Sequence, residues 1–223
     1  MSKLPDPGCV VKVGDGRGFV FEQRISTTGF AKRKPIKGLQ LRRFIERRLI
    51  FTAAHCLPKL PPAHAAAFNS ERTYKLLGSL DGTKENVCAE CLFVDPVADI
   101  AVLGCPDNQE LYEEAEGYED LTDDAPVVPI GKPRSGKGWI LALDGKNWIQ
   151  TELDLFTGLY GTSLSIGPTE PGMSGSPILN GRGRAVGVVV IGSETINSSG
   201  ERRVNEKAGP QPILTLNLPG WLL

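Results

Sequence analysis

The chain has 223 residues with 25 Lys and Arg against 26 Asp and Glu, a formal net charge of −1. That balance gives no electrostatic reason to expect nucleic acid or an anionic membrane as a general partner. A hydrophobic content of 40% suffices for one folded domain, and no apolar run approaches the ~20 residues of a membrane-spanning helix. The 26 Gly and 17 Pro among short apolar runs, with few helix-period stripes, predict an all-β protein.

In chain order, the first eight residues carry Pro5 and Pro7 and lack the apolar stretch of a secretory leader, so none is expected. Residues 9–13 and 18–22 read as a hairpin turned by Gly14-Asp15-Gly16. A basic insertion follows, from Lys32-Arg33-Lys34 through Arg42-Arg43 to Arg47-Arg48, and reads as a solvated loop or edge strand rather than a docking patch. Residues 76–79, 87–94 and 98–104 predict further strands. The segment 107–124 holds Glu110, Glu113, Glu114, Glu116, Glu119, Asp120, Asp123 and Asp124, and is expected as a solvated linker, helical in part over 109–116. Strands are expected again at 139–143, 148–155, 162–166, 177–179 and 185–192.

Three short segments carry chemistry. Thr52-Ala53-Ala54-His55-Cys56 offers a base, Asp99-Ile100-Ala101-Val102-Leu103 an acid at a strand end, and Gly172-Met173-Ser174-Gly175-Ser176-Pro177 a hydroxyl among glycines. A serine hydroxyl attacks a carbonyl only if an imidazole takes its proton, and that imidazole needs a carboxylate to fix its tautomer. Singly, each segment could be a turn or a capping residue; all three in the order His, Asp, Ser is a multi-part motif.

On these segments the chain resembles the chymotrypsin-like (trypsin-fold) serine proteases, closest in motif style to the bacterial HtrA-like and glutamyl-endopeptidase-like peptidases. The resemblance implies two packed six-stranded antiparallel β-barrels with the active site between them. The first barrel would occupy 1–105, the acidic linker 106–125, and the second barrel with the C-terminal segment 126–223. It implies His55 as general base, Asp99 as orienting acid and Ser174 as nucleophile of an acyl-enzyme mechanism acting on protein or peptide substrates. The N–H groups of Gly172 and Ser174 would form the oxyanion hole. Gly16-Arg17-Gly18-Phe19 looks like the strand that precedes the histidine strand in HtrA-like enzymes. Pro168, where a trypsin-like enzyme shows Asp, and Thr169 would shape the specificity pocket, disfavouring Arg or Lys at the cleaved position. Val190, Ile191 and Gly192 would flank the bound peptide. No cofactor is implied.

Two departures matter. Met173 stands where enzymes activated by cleavage carry an Asp that pairs with a new N-terminal ammonium, so activation of that type is not expected. Cys56 would pair with a cysteine on the preceding strand in secreted relatives, and residues 47–51 offer none. Five cysteines, an odd count, fit reduced thiols and a cytoplasmic setting. Cys88-Ala89-Glu90-Cys91, even with Cys105, lacks the second ligand pair of a structural zinc, so no metal is expected. The alternative to a protease is an inactive or partner-activated binding module on the same fold, regulated by a protein partner at the acidic or basic segment.

Overall fold

The computed structural model describes residues 4–26, 44–62, 69–96, 98–131, 135–153, 156–158, 161–163, 170–190, 194–196, 202–204 and 213–214. Six strands form a closed antiparallel barrel: β1 Val10–Val13, β2 Gly16–Ser26, β3 Phe44–Ala53, β4 Thr73–Ser79, β5 Val87–Asp95 and β6 Ile100–Gly104, in the order β1-β2-β3-β6-β5-β4. The first hairpin pairs Val13 with Gly16, leaving Gly14 and Asp15 as its turn. Gly14 adopts φ +55, and a Cβ there would press on the Cys56 carbonyl at 2.6 Å. Glycine meets both demands.

The stretches 19–21, 49–51 and 100–103 of the central strands are apolar without interruption because both of their faces are covered. Val20, Ile50, Ala101 and Leu103 fill the barrel interior with Val11, Val13, Leu77, Ala89 and Cys91. The alternate residues Phe19, Phe21, Leu49, Phe51, Ile100 and Val102 face outward onto Leu141, Leu179, Ala185 and Val188. Phe51 stacks on Phe21 with ring centroids 4.3 Å apart and on Phe19 at 5.4 Å. Each of these rings stabilises the fold by roughly 2 kcal/mol through burial, which makes this outer face a main weld between the halves of the chain.

The helix α1, Tyr112–Thr122, corrects the expectation of a solvated linker. Its charged residues face water, while Ala115 is buried and Tyr118 and Leu121 are buried within the barrel cluster. The Tyr118 hydroxyl donates to the Arg48 carbonyl at 3.0 Å. Arg48 in turn gives Nη1 to the carbonyl of Thr122 and, at 2.8 Å, to that of Ala125. A guanidinium at a helix C-terminus satisfies orphan carbonyls and suits the dipole, so Arg48 holds the helix rather than belonging to a solvated loop. It also lies on an interior strand, since β3 pairs with both β2 and β6.

The second half contributes β7 Gly136–Leu141, β8 Trp148–Leu153, β9 Phe156–Gly158, β10 Gly161–Ser163, β11 Pro177–Asn180, β12 Ala185–Val188, β13 Glu194–Ile196, β14 Arg202–Val204 and β15 Ile213–Leu214. Among the described residues these make a four-stranded sheet, β12-β11-β7-β8, a three-stranded sheet, β15-β10-β9, and the pair β13-β14. The protein is thus mostly β as expected, with one closed barrel and a second, sheet-built half. Among the described residues, no helix is long and apolar enough to cross a membrane.

Candidate active site

His55 and Asp99 meet because of strand register. Ala53, the last residue of β3, pairs with Ile100, the first of β6. In an antiparallel pair, the residues leaving one strand lie beside those entering the other. Asp99 then holds the 3₁₀ turn Ala54–Cys56 at three points. Its carbonyl accepts from the Ala54 N–H at 3.1 Å, Oδ1 from the His55 N–H at 2.9 Å, and Oδ2 faces the His55 Nδ1 at 2.7 Å.

An ionised carboxylate only accepts, so in the neutral form of the ring the proton sits on Nδ1 and Nε2 keeps the lone pair. The Asp99 hydrogen bond is the main cause that pushes the His55 imidazole above its ordinary value of 6.5, with the neighbouring Cys56 adding to it. The pair is not deeply buried: the side chains keep 32% and 26% of their accessible surface. Asp99 adopts φ +55, a left-handed conformation that a non-glycine residue holds only when its surroundings enforce it. Asp95 plays a different part, capping the turn before Asp99 through Oδ1 to the Ala98 N–H at 2.9 Å.

Ser174 reaches the same region on the loop before β11. Its carbonyl accepts from the Arg17 N–H at 2.7 Å and lies 3.8 Å from the Cys56 Sγ. The loop is braced further by Ser176 N–H to the Met173 carbonyl at 3.0 Å and Gly175 N–H to the Val189 carbonyl at 2.6 Å. Gly172 and Gly175 adopt φ +93 and +85, where a side chain is strained. Among the described residues, no hydrogen bond takes up the N–H of Gly172 or of Ser174. Met173 is 2% exposed among Ile140, Leu153, Ile178, Val186 and Val189, and its Sδ accepts from the Glu170 N–H at 3.1 Å. Thus an apolar anchor stands where an ion pair would otherwise be sought.

Cys56 has no disulfide partner, and all five cysteines are free thiols. The residue facing it is Gly16 on the first hairpin, not one on the strand before it: a Cβ on Gly16 would lie 2.5 Å from Cys56 Sγ. Burial pushes the Cys91 and Cys105 thiols up to about 11. Among the described residues, no three His, Cys, Asp or Glu side chains converge as metal ligands would.

Residues 27–188 match the sequence profile of the trypsin-like peptidase domain. The chain belongs to that family. Among solved structures, this trypsin-like peptidase domain is similar to the HtrA-type protease AlgW with decapeptide, at 15% identity and TM-score 0.45 over 89% of this chain and 59% of that one. It therefore spans about three fifths of AlgW. It is also similar to an inactive form of the Rv3671c protease, at 18% identity and TM-score 0.42 over 85% and 86% of the two chains. A serine protease of human pathogenic astrovirus is 17% identical, with TM-score 0.45 over 84% of each chain. No curated protein sequence matches the domain.

Of the expected substrate-binding residues, Pro168, Thr169, Ile191 and Gly192 lie outside the described residues. Val190 is buried in the cluster that holds Ala54 and Cys56. Sequence reasoning missed Arg17. It is 4% exposed, and its guanidinium donates to the carbonyls of Leu141, Ala142 and Leu143. Its position between Gly16 and Gly18, each crowded against backbone where a Cβ would stand, was the available signal.

Proposed function

We propose that this trypsin-like peptidase domain is an active serine endopeptidase that cleaves protein or peptide substrates through an acyl-enzyme. His55 serves as base, Asp99 as its orienting acid and Ser174 as nucleophile. The observation that carries this reading is the 2.7 Å contact of His55 Nδ1 with Asp99 Oδ2, on a turn whose Cys56 touches the Ser174 carbonyl.

In this mechanism His55 Nε2 takes the Ser174 proton as Oγ bonds to the substrate carbonyl carbon. The imidazolium so formed, stabilised by Asp99, then gives the proton to the leaving amine. Water repeats the sequence to release the acid. The N–H groups of Gly172 and Ser174 stabilise the oxyanion, each contributing ~3 kcal/mol when well aimed. Pro168, six residues before Ser174, favours an uncharged residue at the cleaved position. The free thiols support a reducing, cytoplasmic setting.

The test is an organophosphonate probe on the isolated protein, read by intact mass and by the mapped peptide, together with cleavage of a peptide library. Labelling at Ser174 is expected. An unlabelled, folded protein overturns the reading in favour of a protease-fold binding module.

A further inference from the structure

A nucleophile loop without an ion pair at Met173 needs another brace, and Arg17 touches it from two directions. Its main chain binds the loop directly. The N–H donates to the Ser174 carbonyl at 2.7 Å, and its own carbonyl, held at 2.7 Å by Thr52 Oγ1, closes the space over Gly175.

Its side chain reaches the turn between β7 and β8. Nη1 donates to the carbonyls of Leu141 and Ala142 at 3.1 and 3.0 Å, and Nη2 to that of Leu143 at 2.7 Å. Leu143 leads back to the loop: its Cδ1 lies 3.5 Å from where a Cβ of Gly172 would stand. So one residue grips Ser174 through its backbone and backs Gly172 through Leu143. These two are the residues whose N–H groups are assigned to the oxyanion.

We propose that Arg17 is the positioning residue of the oxyanion hole, fixing the turn at Leu143 against Gly172 while its backbone fixes Ser174. This rests on the serine endopeptidase reading. The choice of arginine follows from geometry, because a planar fork can serve consecutive carbonyls that a single ammonium cannot span. Its location argues for a positioning role over plain stabilisation. Leu143 is 47% exposed and Asp144 is also exposed, so water could satisfy the Leu143 carbonyl, the one that leads to Gly172, without a cation. Oxyanion donors act only when held at the place where charge develops, and small misplacements cost rate rather than substrate affinity.

The experiment compares wild type, Arg17→Lys and Leu143→Ala in the full chain. Active sites are titrated with the organophosphonate, and labelling rate per titrated site, kcat, KM and the thermal melt are measured. Arg17→Lys should slow labelling and kcat about tenfold with KM little changed, and Leu143→Ala about threefold. A merely structural Arg17 would lower the melt or the fraction of titratable sites and leave the rate per site untouched. Leu143 is half exposed, so its variant folds and reads the same contact even where Arg17→Lys folds poorly. A wild-type rate per site in either variant overturns the proposal while leaving the peptidase intact. A wild-type protein that takes up no probe overturns the peptidase reading and this proposal with it.

Discussion

A Cβ on Gly175 would stand 1.7 Å from the carbonyl oxygen of Arg17. The first barrel and the nucleophile loop thus touch through bare backbone, and that contact exists only while residue 175 is glycine. Gly175 also adopts φ +85.

Gly175→Ala is therefore expected to cost more than ~3 kcal/mol, since it combines overpacking with a disfavoured dihedral. Gly82 is the comparison: it has φ +74 but open space around a Cβ, so Gly82→Ala should cost only the ~1 kcal/mol of the dihedral. Urea denaturation of both variants checks the contrast. Equal costs would show that the Arg17 contact does not govern residue 175.

Ser174→Ala should abolish peptide hydrolysis with the melt unchanged. The hydrogen bond that holds this residue in place uses its carbonyl, not its hydroxyl. His55→Ala combined with it should add almost nothing, because residues that act as one unit lose activity together. Turnover of a peptide library beside a thermal scan tests this, and surviving cleavage in Ser174→Ala would remove Ser174 from its role.

The pH dependence follows from the His55 and Asp99 contact. Asp99 raises the proton affinity of His55 above 6.5, and a general base works only when neutral. Activity should therefore rise with pH along a limb centred above 6.5. The sign for stability is opposite: the pair's contribution is full below the unfolded value and fades as pH rises through the folded one. Asp99→Asn should move the His55 titration, followed by NMR of the imidazole, back toward 6.5. Asp95→Asn should leave it and the activity unchanged, since an amide oxygen can still accept from Ala98. A shift with Asp95→Asn instead would place the acid wrongly.

How much was legible in the residues depended on whether local pattern matched local cause. The first hairpin was readable because Gly14-Asp15-Gly16 is a turn for its own reasons, and the strands that follow kept short apolar runs between turn residues. The helix around Tyr118 was obscured by its acidic surface: five carboxylates outweigh the few apolar residues that dock it. Arg48 and Arg17 share another cause. Each donates its charge to carbonyls far along the chain, at residues 122 and 125 or 141–143, and no local pattern announces such partners. The neighbour of Cys56 was sought along the adjacent strand, whereas the barrel brings Gly16 to it.

Ser176 offers a stability test beside the site. Its Oγ is fully buried and has no hydrogen-bond partner among the described residues. A buried hydroxyl without a partner costs about 1–3 kcal/mol. Ser176→Ala should thus be neutral or stabilising, raising the melt by up to a few degrees for a chain of this size. A clear loss of stability would mean that this hydroxyl is bonded in solution.

Met173→Asp separates an apolar anchor from a missing ion pair. At 2% exposure, Met173 packs among Ile140, Leu153, Ile178, Val186 and Val189. A carboxylate there would be desolvated among aliphatic side chains, at a cost of several kcal/mol, or would stay protonated. The variant should fold poorly at neutral pH and recover stability as pH falls and the carboxyl takes up a proton, because its folded value lies far above that of the unfolded chain. Met173→Leu, similar in volume, should cost less than ~1.5 kcal/mol and keep the Ser174 labelling rate within a few-fold. Melts between mildly acidic and neutral pH, with phosphonate labelling of each variant, decide it. A Met173→Asp protein as stable and reactive as wild type at neutral pH would show that a cation waits for that carboxylate, and that the loop is built for an ion pair after all.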